Sequence, residues 1–243
     1  MSDTIKDLAF FADVLSKISR TEAATQYIDQ LVEAKPQLEQ SEYELFGFVY
    51  KTAIDPIRHT LQSLMSFYDS EVDQRHALRA ESIQVEKEKS HRQFASICHH
   101  VIDMITSTLL PNAIDQKATI FFNKTLGDYY RYLAEFERSE EAKRVIGEAK
   151  KAYSKALEVC DSNLLPCDPL RLGVLLNFAI FKHEHLMETS EASALLQEAR
   201  NEAELELGQL SQNSQNEALE ILQAMRTNLI VWSDDEDDNG ENN

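Results

Sequence analysis

The sequence predicts an all-α protein, an antiparallel array of nine helices. Three observations predict it. Only six glycines and five prolines occur in 243 residues, too few turn formers for a β-rich chain of this length. Apolar residues recur at helical spacing along most of the chain, and no stretch alternates convincingly as a strand does. The breaks between the helical stretches are short, which favours antiparallel neighbours.

The elements follow in order. Ile5 to about Ser19 forms the first helix. Ile5, Leu8, Ala12 and Leu15 make one apolar stripe, and Phe10, Val14 and Ile18 make another. Two stripes predict a helix covered from two sides, as at a subunit interface. Thr21 offers an N-cap for a second helix that ends at Lys35-Pro36. A long third helix runs from Ser41 to about Asp73, interrupted by Asp55-Pro56. A mid-helix proline loses one hydrogen bond and clashes with the preceding turn, at about 3 kcal/mol, so a kink or local break is expected there.

The fourth helix spans about Ala77 to Leu109. Its first half, Arg79 to Arg92, is charged and reads as a solvated segment; its second half, with Phe94, Cys98, Val101 and Ile105, reads as core. Pro111 ends it. A fifth helix starts near Ile114, a sixth spans about Glu140 to Asp161, and a seventh about Leu170 to Met187. An eighth covers about Ser190 to Leu207 and a ninth about Asn213 to Trp232. The expected organisation is one helical domain over residues 1–232. Ser233 to Asn243 is acidic and lacks apolar residues, so it reads as a disordered tail.

Net charge is −18, and the tail holds six of those negative charges, leaving −12 on residues 1–233. That balance excludes a general nucleic-acid surface, which needs a basic face. An anionic ligand would need a local basic pocket in an acidic body. Cys98, Cys160 and Cys167 form neither a disulfide framework nor a C-x-x-C pair. They read as reduced, buried thiols, and with no secretory signal in the first residues the expected compartment is the cytoplasm, with nuclear access open. No apolar run is long enough to span a membrane.

The fifth helix holds Gly127-Asp128-Tyr129-Tyr130-Arg131-Tyr132-Leu133-Ala134-Glu135, an arginine among three tyrosines. A guanidinium supplies forked donors to an anion and a phenol adds another, although a packed helix face with one solvated arginine is the simpler reading of the stretch alone. Lys124 and Arg131 stand seven apart, two turns along one face, and so do Lys51 and Arg58. Converged, the two pairs would make a cationic pocket. Asn177 and Glu184 are seven apart on a strongly apolar helix, and Asn228 and Trp232 four apart. Asparagine there needs a partner for its amide: a peptide backbone or a neighbouring helix.

Those residues carry a family resemblance. The Gly127–Glu135 stretch resembles the most diagnostic segment of the 14-3-3 phosphopeptide-binding proteins. Leu110-Pro111-Asn112-Ala113 resembles the turn before their fifth helix, and Pro169-Leu170-Arg171-Leu172-Gly173 with Leu176-Asn177-Phe178 resembles their seventh. Asn228-Leu229-Ile230-Val231-Trp232 resembles their ninth, which also precedes an acidic tail. The resemblance covers most of the chain in order and is weakest in the first 100 residues.

The resemblance implies a nine-helix fold with an amphipathic concave groove, usually in a dimer, that binds phosphoserine or phosphothreonine segments of client proteins without chemistry on them. It puts Lys51, Arg58 and Arg131 on the phosphate, with the Tyr132 hydroxyl. It puts Asn177 and Asn228 on the peptide backbone and Lys124 in the same groove, with Glu184 and Trp232 in support. Leu176, Ile180 and Ile221 become the apolar wall. It places Val14, Leu15, Ile18, Arg20, Leu64 and Lys89 at the dimer interface. No cofactor, metal, nucleic acid or membrane is implied.

The chain departs from the family pattern at Asp55-Pro56-Ile57, where small and basic residues are usual; Asp55 could pair with Lys51 at i,i+4. Glu220 and Ala224 replace groove leucines. Ala23, Glu86 and Gln93 replace polar partners across the dimer, leaving Arg20 and Lys89 without theirs and a weakened or heterotypic dimer open. A second reading, a helical scaffold that binds regardless of phosphate, follows from the same departures. An enzyme is disfavoured: Glu88/His91, His99-His100 and His183-Glu184-His185 match no catalytic or metal-binding pattern.

Overall fold

In the computed structural model residues 2–240 are described. Among them the regular structure is helical: α1 (Ser2–Lys17), α2 (Thr21–Ala34), α3 (Gln40–Asp73), α4 (Ala77–Met104), α5 (Gln116–Phe136), α6 (Ser139–Asn163), α7 (Pro169–Leu186), α8 (Thr189–Glu206) and α9 (Gln212–Gly240). A π turn, Ile105–Leu109, extends α4, and a 3₁₀ turn, Leu207–Gln209, follows α8. The chain divides into two compact units, residues 1–118 and 119–243, with the boundary near the start of α5. No described helix is long and apolar enough to cross a membrane.

In the first unit α1 packs on α2 and α3, and α3 on α4. Ile28, Phe46, Ile54, Phe94, Cys98 and Ile105 are fully buried, the helical periodicity of each sequence stretch having turned one face inward. One polar link runs through this unit. Tyr50 of α3 donates a short hydrogen bond to Asp29 of α2, and Asp29 Oδ1 lies 3.0 Å from His100 Nε2 of α4. Burial, then the Asp29 carboxylate, pushes the Tyr50 phenol well above its ordinary range.

Two local expectations are corrected here. Thr21 is the first residue of α2 and not its cap; Arg20 holds the N-cap position and makes no side-chain cap bond. α3 is unbroken from Gln40 to Asp73 with Pro56 inside it, so no local break occurs. One lost hydrogen bond is small against 34 residues of helix anchored by buried residues on both sides of the proline. The second stripe of α1 is open in the single chain: Phe10 and Ile18 are 61% and 62% exposed. The charged half of α4 is mostly exposed, as its composition predicts.

In the second unit α7 is central, packing on α6, α8 and α9. Its N-terminus is capped by Asp168, whose carboxylate accepts from the Leu170 N–H at 2.9 Å, with Pro169 at the first helical position. Its C-terminus closes at Met187 in the left-handed conformation (φ 56°). Leu172, Leu175, Ala192, Leu196, Met225 and Trp232 form the buried core of α7, α8 and α9. α9 continues to Gly240, eight residues past the Trp232 boundary expected from the sequence. No proline interrupts residues 233–240, and extending an existing helix is far easier than starting one. Residues 241–243 lie outside the described ones. Cys98, Cys160 and Cys167 are buried free thiols.

Candidate functional site

Gly127 sets the geometry of the site. A Cβ on it would lie 2.8 Å from the Tyr153 ring of α6, so only glycine lets that ring lie directly against α5. The Tyr153 hydroxyl then donates to Asp128 Oδ1 at 2.6 Å. Asn177 Nδ2 of α7 donates to the same oxygen at 2.7 Å, and Lys124 Nζ donates to Oδ2 at 2.8 Å. Asp128 thus joins α5, α6 and α7, and it is 7% exposed. Burial is the largest influence on its carboxyl and pushes the pKa up. Lys124 and Arg131 beside it, with the hydrogen bonds from Lys124 and Tyr153, outweigh that, and it titrates below its ordinary 3.8.

Arg131 lies three residues on, one turn along α5. It is 8% exposed and its guanidinium sits 4.8 Å from the Tyr132 ring centroid. Burial opposes its charge, but Tyr153 and Asp128 around it more than offset this, so Arg131 stays protonated. Its Nη1 reaches Glu184 Oε2 of α7 at 3.4 Å, a long contact for an ion pair. Its Nε is buried with no hydrogen-bond partner among the described residues. The arrangement is therefore a charged, enclosed fork beside two carboxylates, Asp128 and the loosely held Glu184, with its Nε donor unspent.

The residues expected from sequence fall into groups. Lys124, Arg131, Asn177 and Glu184 converge around Asp128 within the second unit. Tyr132 is buried beside Arg131. Leu176, Ile180 and Ile221 are partly buried and pack on the α7–α9 core. Trp232 is 4% exposed and stacks on His183 at 4.7 Å, so it props α7 against α9 and offers no surface. Asn228 is not hydrogen-bonded to the Asp128 group; its Nδ2 turns back to the Ala224 carbonyl at 2.9 Å, leaving its own carbonyl oxygen as acceptor.

Lys51 and Arg58 belong to α3 in the first unit. Lys51 Nζ bonds Asp55 Oδ2 at 2.5 Å, the i,i+4 pair that the sequence suggested. Arg58 is half-buried. Of the residues implied at a dimer interface, Val14, Ile18, Arg20 and Lys89 are exposed, while Leu15 and Leu64 are half-buried. Lys89 is not without a partner: it meets Glu86 on its own helix at 3.3 Å.

Sequence reasoning missed Asp128 and Tyr153 as site residues. The signal for Asp128 was present, an aspartate four residues after Lys124 and three before Arg131, placed to pair with either cation on one helix face. Tyr153 gave none, since one aromatic in α6 looks like any other core residue.

Comparison with known proteins bears on this arrangement. The family model described as 14-3-3 protein matches residues 11–233. The chain is 29% identical over 235 residues to 14-3-3 protein 3 of Entamoeba histolytica, covering 97% of this chain and 98% of the relative. It is 30% identical over 242 residues to the 14-3-3 protein of Giardia intestinalis, covering 98% and 97%. It is 30% identical over 236 residues to the checkpoint signal transducer rad24 of Schizosaccharomyces pombe, covering 97% and 87%. With its helical fold, its Gly127–Glu135 stretch and matches spanning nearly its whole length, the chain belongs to the 14-3-3 family.

Proposed function

We propose that the protein is an adaptor that binds phosphoserine or phosphothreonine segments of client proteins, with no chemistry on them. Arg131 carries the reading. It is buried, charged, in long contact with one carboxylate, and has an unpartnered Nε donor. A phosphate dianion supplies three acceptor oxygens to such a fork and outcompetes a single carboxylate at 3.4 Å. Tyr132 adds a hydroxyl, and Lys51 and Arg58 supply the remaining charge. Asn177 and Asn228 hold the peptide backbone, Leu176, Ile180 and Ile221 contact its side chains, and Lys124 lines the same groove, with Glu184 and Trp232 in support. Binding requires no cofactor. The exposed α1 stripe of Phe10, Val14 and Ile18 pairs two copies, or this chain with a relative. The reduced thiols suit a cytoplasmic protein.

Titration with a phosphoserine peptide and its unphosphorylated twin tests this. The phosphopeptide binds at least about a hundredfold tighter, since a charge-assisted bidentate contact is worth roughly 3 kcal/mol. Arg131→Lys, which keeps the charge and loses the fork, removes most of that preference. Equal affinity for the two peptides would refute the reading and favour a scaffold that ignores phosphate, a reading that the engagement of Lys51 by Asp55 supports.

A further inference from the structure

Glu217, Ile221, Ala224 and Asn228, spaced four, three and four apart, form one stripe of α9, and Ile221 and Asn228 are the α9 residues proposed to line the groove. Glu217 heads that stripe, and Glu220 lies one turn from it. Both are exposed, and among the described residues neither carboxylate has a cation to pair with. Glu140, Glu141 and Glu148 of α6 differ: each is held by a cation on its own helix. Lys124, the cation proposed to line the same groove, is engaged by Asp128 at 2.8 Å.

The distance of the two glutamates from Arg131 follows from the helices. α8 packs on both α7 and α9 and is joined to each by a short connection, so α7 and α9 run parallel. His183 of α7 stacks on Trp232 of α9, and the next residue, Glu184, meets Arg131, which puts Arg131 at the level of Trp232. Glu220 and Glu217 precede Trp232 by 12 and 15 residues. That is about 18 and 22 Å of helix at roughly 1.5 Å per residue. An extended peptide advances about 3.3 Å per residue, and the reach of a long basic side chain lowers the count needed to about four to six. Ile221 and the small Ala224 give the stem of such a side chain a surface to lie on while its head meets the carboxylates. The ligand itself is called for by Arg131, 8% exposed with an unpartnered Nε.

We infer that Glu217 and Glu220 determine specificity at the end of the groove far from the phosphate, where they select a lysine or arginine about four to six residues from the phosphoresidue. The inference rests on the phosphopeptide reading above. Two carboxylates one turn apart repel each other until a cation lies between them, so the empty groove favours a ligand that brings one.

The test is a peptide scan. A phosphoserine peptide with neutral flanks is compared with variants carrying one arginine at each of the six positions on either side. Each is titrated against wild type, the double variant Glu217→Gln with Glu220→Gln, and the double variant Glu217→Lys with Glu220→Lys. On one side of the phosphoserine, arginine about four to six residues away strengthens wild-type binding about fivefold, the range of an exposed ion pair. That gain is absent from the glutamine variant and becomes a loss in the lysine variant, which binds a peptide with glutamate at the same position more tightly instead. Arginine gains at those positions that are equal in all three proteins, or absent from wild type, overturn the inference while phosphate-dependent binding leaves the phosphopeptide reading standing. A neutral phosphopeptide that wild type binds no better than its unphosphorylated twin overturns both.

Discussion

Asp128 receives three hydrogen bonds in a space closed to water, from Lys124, Tyr153 and Asn177. Its carboxylate fixes the side chains that flank Arg131, so it acts on the site by positioning. Asp128→Asn turns one acceptor into a donor that faces another donor, and leaves Lys124 uncompensated. The expected cost is about 3 kcal/mol in urea unfolding at pH 7. The pH dependence has a definite sign. A carboxyl whose folded pKa lies below its ordinary 3.8 contributes stability above that value and loses it as pH falls through the folded pKa. The gap between wild type and Asp128→Asn therefore holds steady from pH 8 to pH 5 and narrows below pH 3.8. A gap that keeps its size down to pH 3 refutes this account. At this scale Arg131 and Asn177 were legible because a cation among aromatics and an amide on an apolar helix each ask for a partner. The identity of the partner was not legible, because Asp128 meets Asn177 across 49 positions of sequence, and no helical period carries that information.

Helix α3 shows how a local rule is overridden by an element. Pro56 removes the N–H that would bond the Thr52 carbonyl, yet the helix continues. Buried Ile54 before the proline and Leu61 after it anchor both halves to the core. The strain is carried, and its removal is measurable. Pro56→Ala restores a hydrogen bond and relieves the clash, at the expense of a freer unfolded chain. A net gain of about 1–2 kcal/mol in stability is expected, read as a higher denaturant midpoint with an unchanged slope. Loss of stability would mean that the proline suits a bend the core requires. Elsewhere the helices lie within a few residues of their expected bounds, because apolar periodicity and the Pro111 and Pro169 stops act locally. The departures were the α2 cap, where Thr21 looked suitable but Arg20 lies at the turn, and the end of α9, where acidity alone did not stop a helix.

For the whole molecule, the exposed face of α1 is the clearest unmet need. Phe10 at 61% and Ile18 at 62% exposure are more apolar surface than a lone helix leaves in water without reason. Ile18→Asp is expected to shift the protein to monomer in sedimentation velocity at micromolar concentration, with helical content unchanged. If wild type sediments as a monomer at that concentration, the proposed pairing fails. Net charge acts at the same scale. Deleting residues 233–243 lowers the charge from −18 to −12 and weakens the repulsion of a phosphopeptide. Association is then faster at low salt, and the difference fades when ionic strength shortens the screening length below about 8 Å. A difference that survives high salt would point to direct occupation of the basic pocket by the tail. The all-α class was visible from composition, whereas the order of helices needed the apolar periodicity and the breaks between the periodic stretches.

The π turn at the end of α4 gives the chain a spare residue. The Leu110 N–H bonds the Ile105 carbonyl at 2.9 Å, one position beyond α-helical reach, while Ile105 and Leu109 both remain fully buried. Such a turn is an α-helix with one residue inserted. Removing exposed Ser107 closes it to ordinary helix and keeps the faces aligned on either side. Removing Ser96, within the α-helical part, rotates everything beyond it by roughly 100° and carries Cys98 and Val101 out of the core. Length changes in this protein are thus tolerated by position, and α4 has one place already built to absorb them.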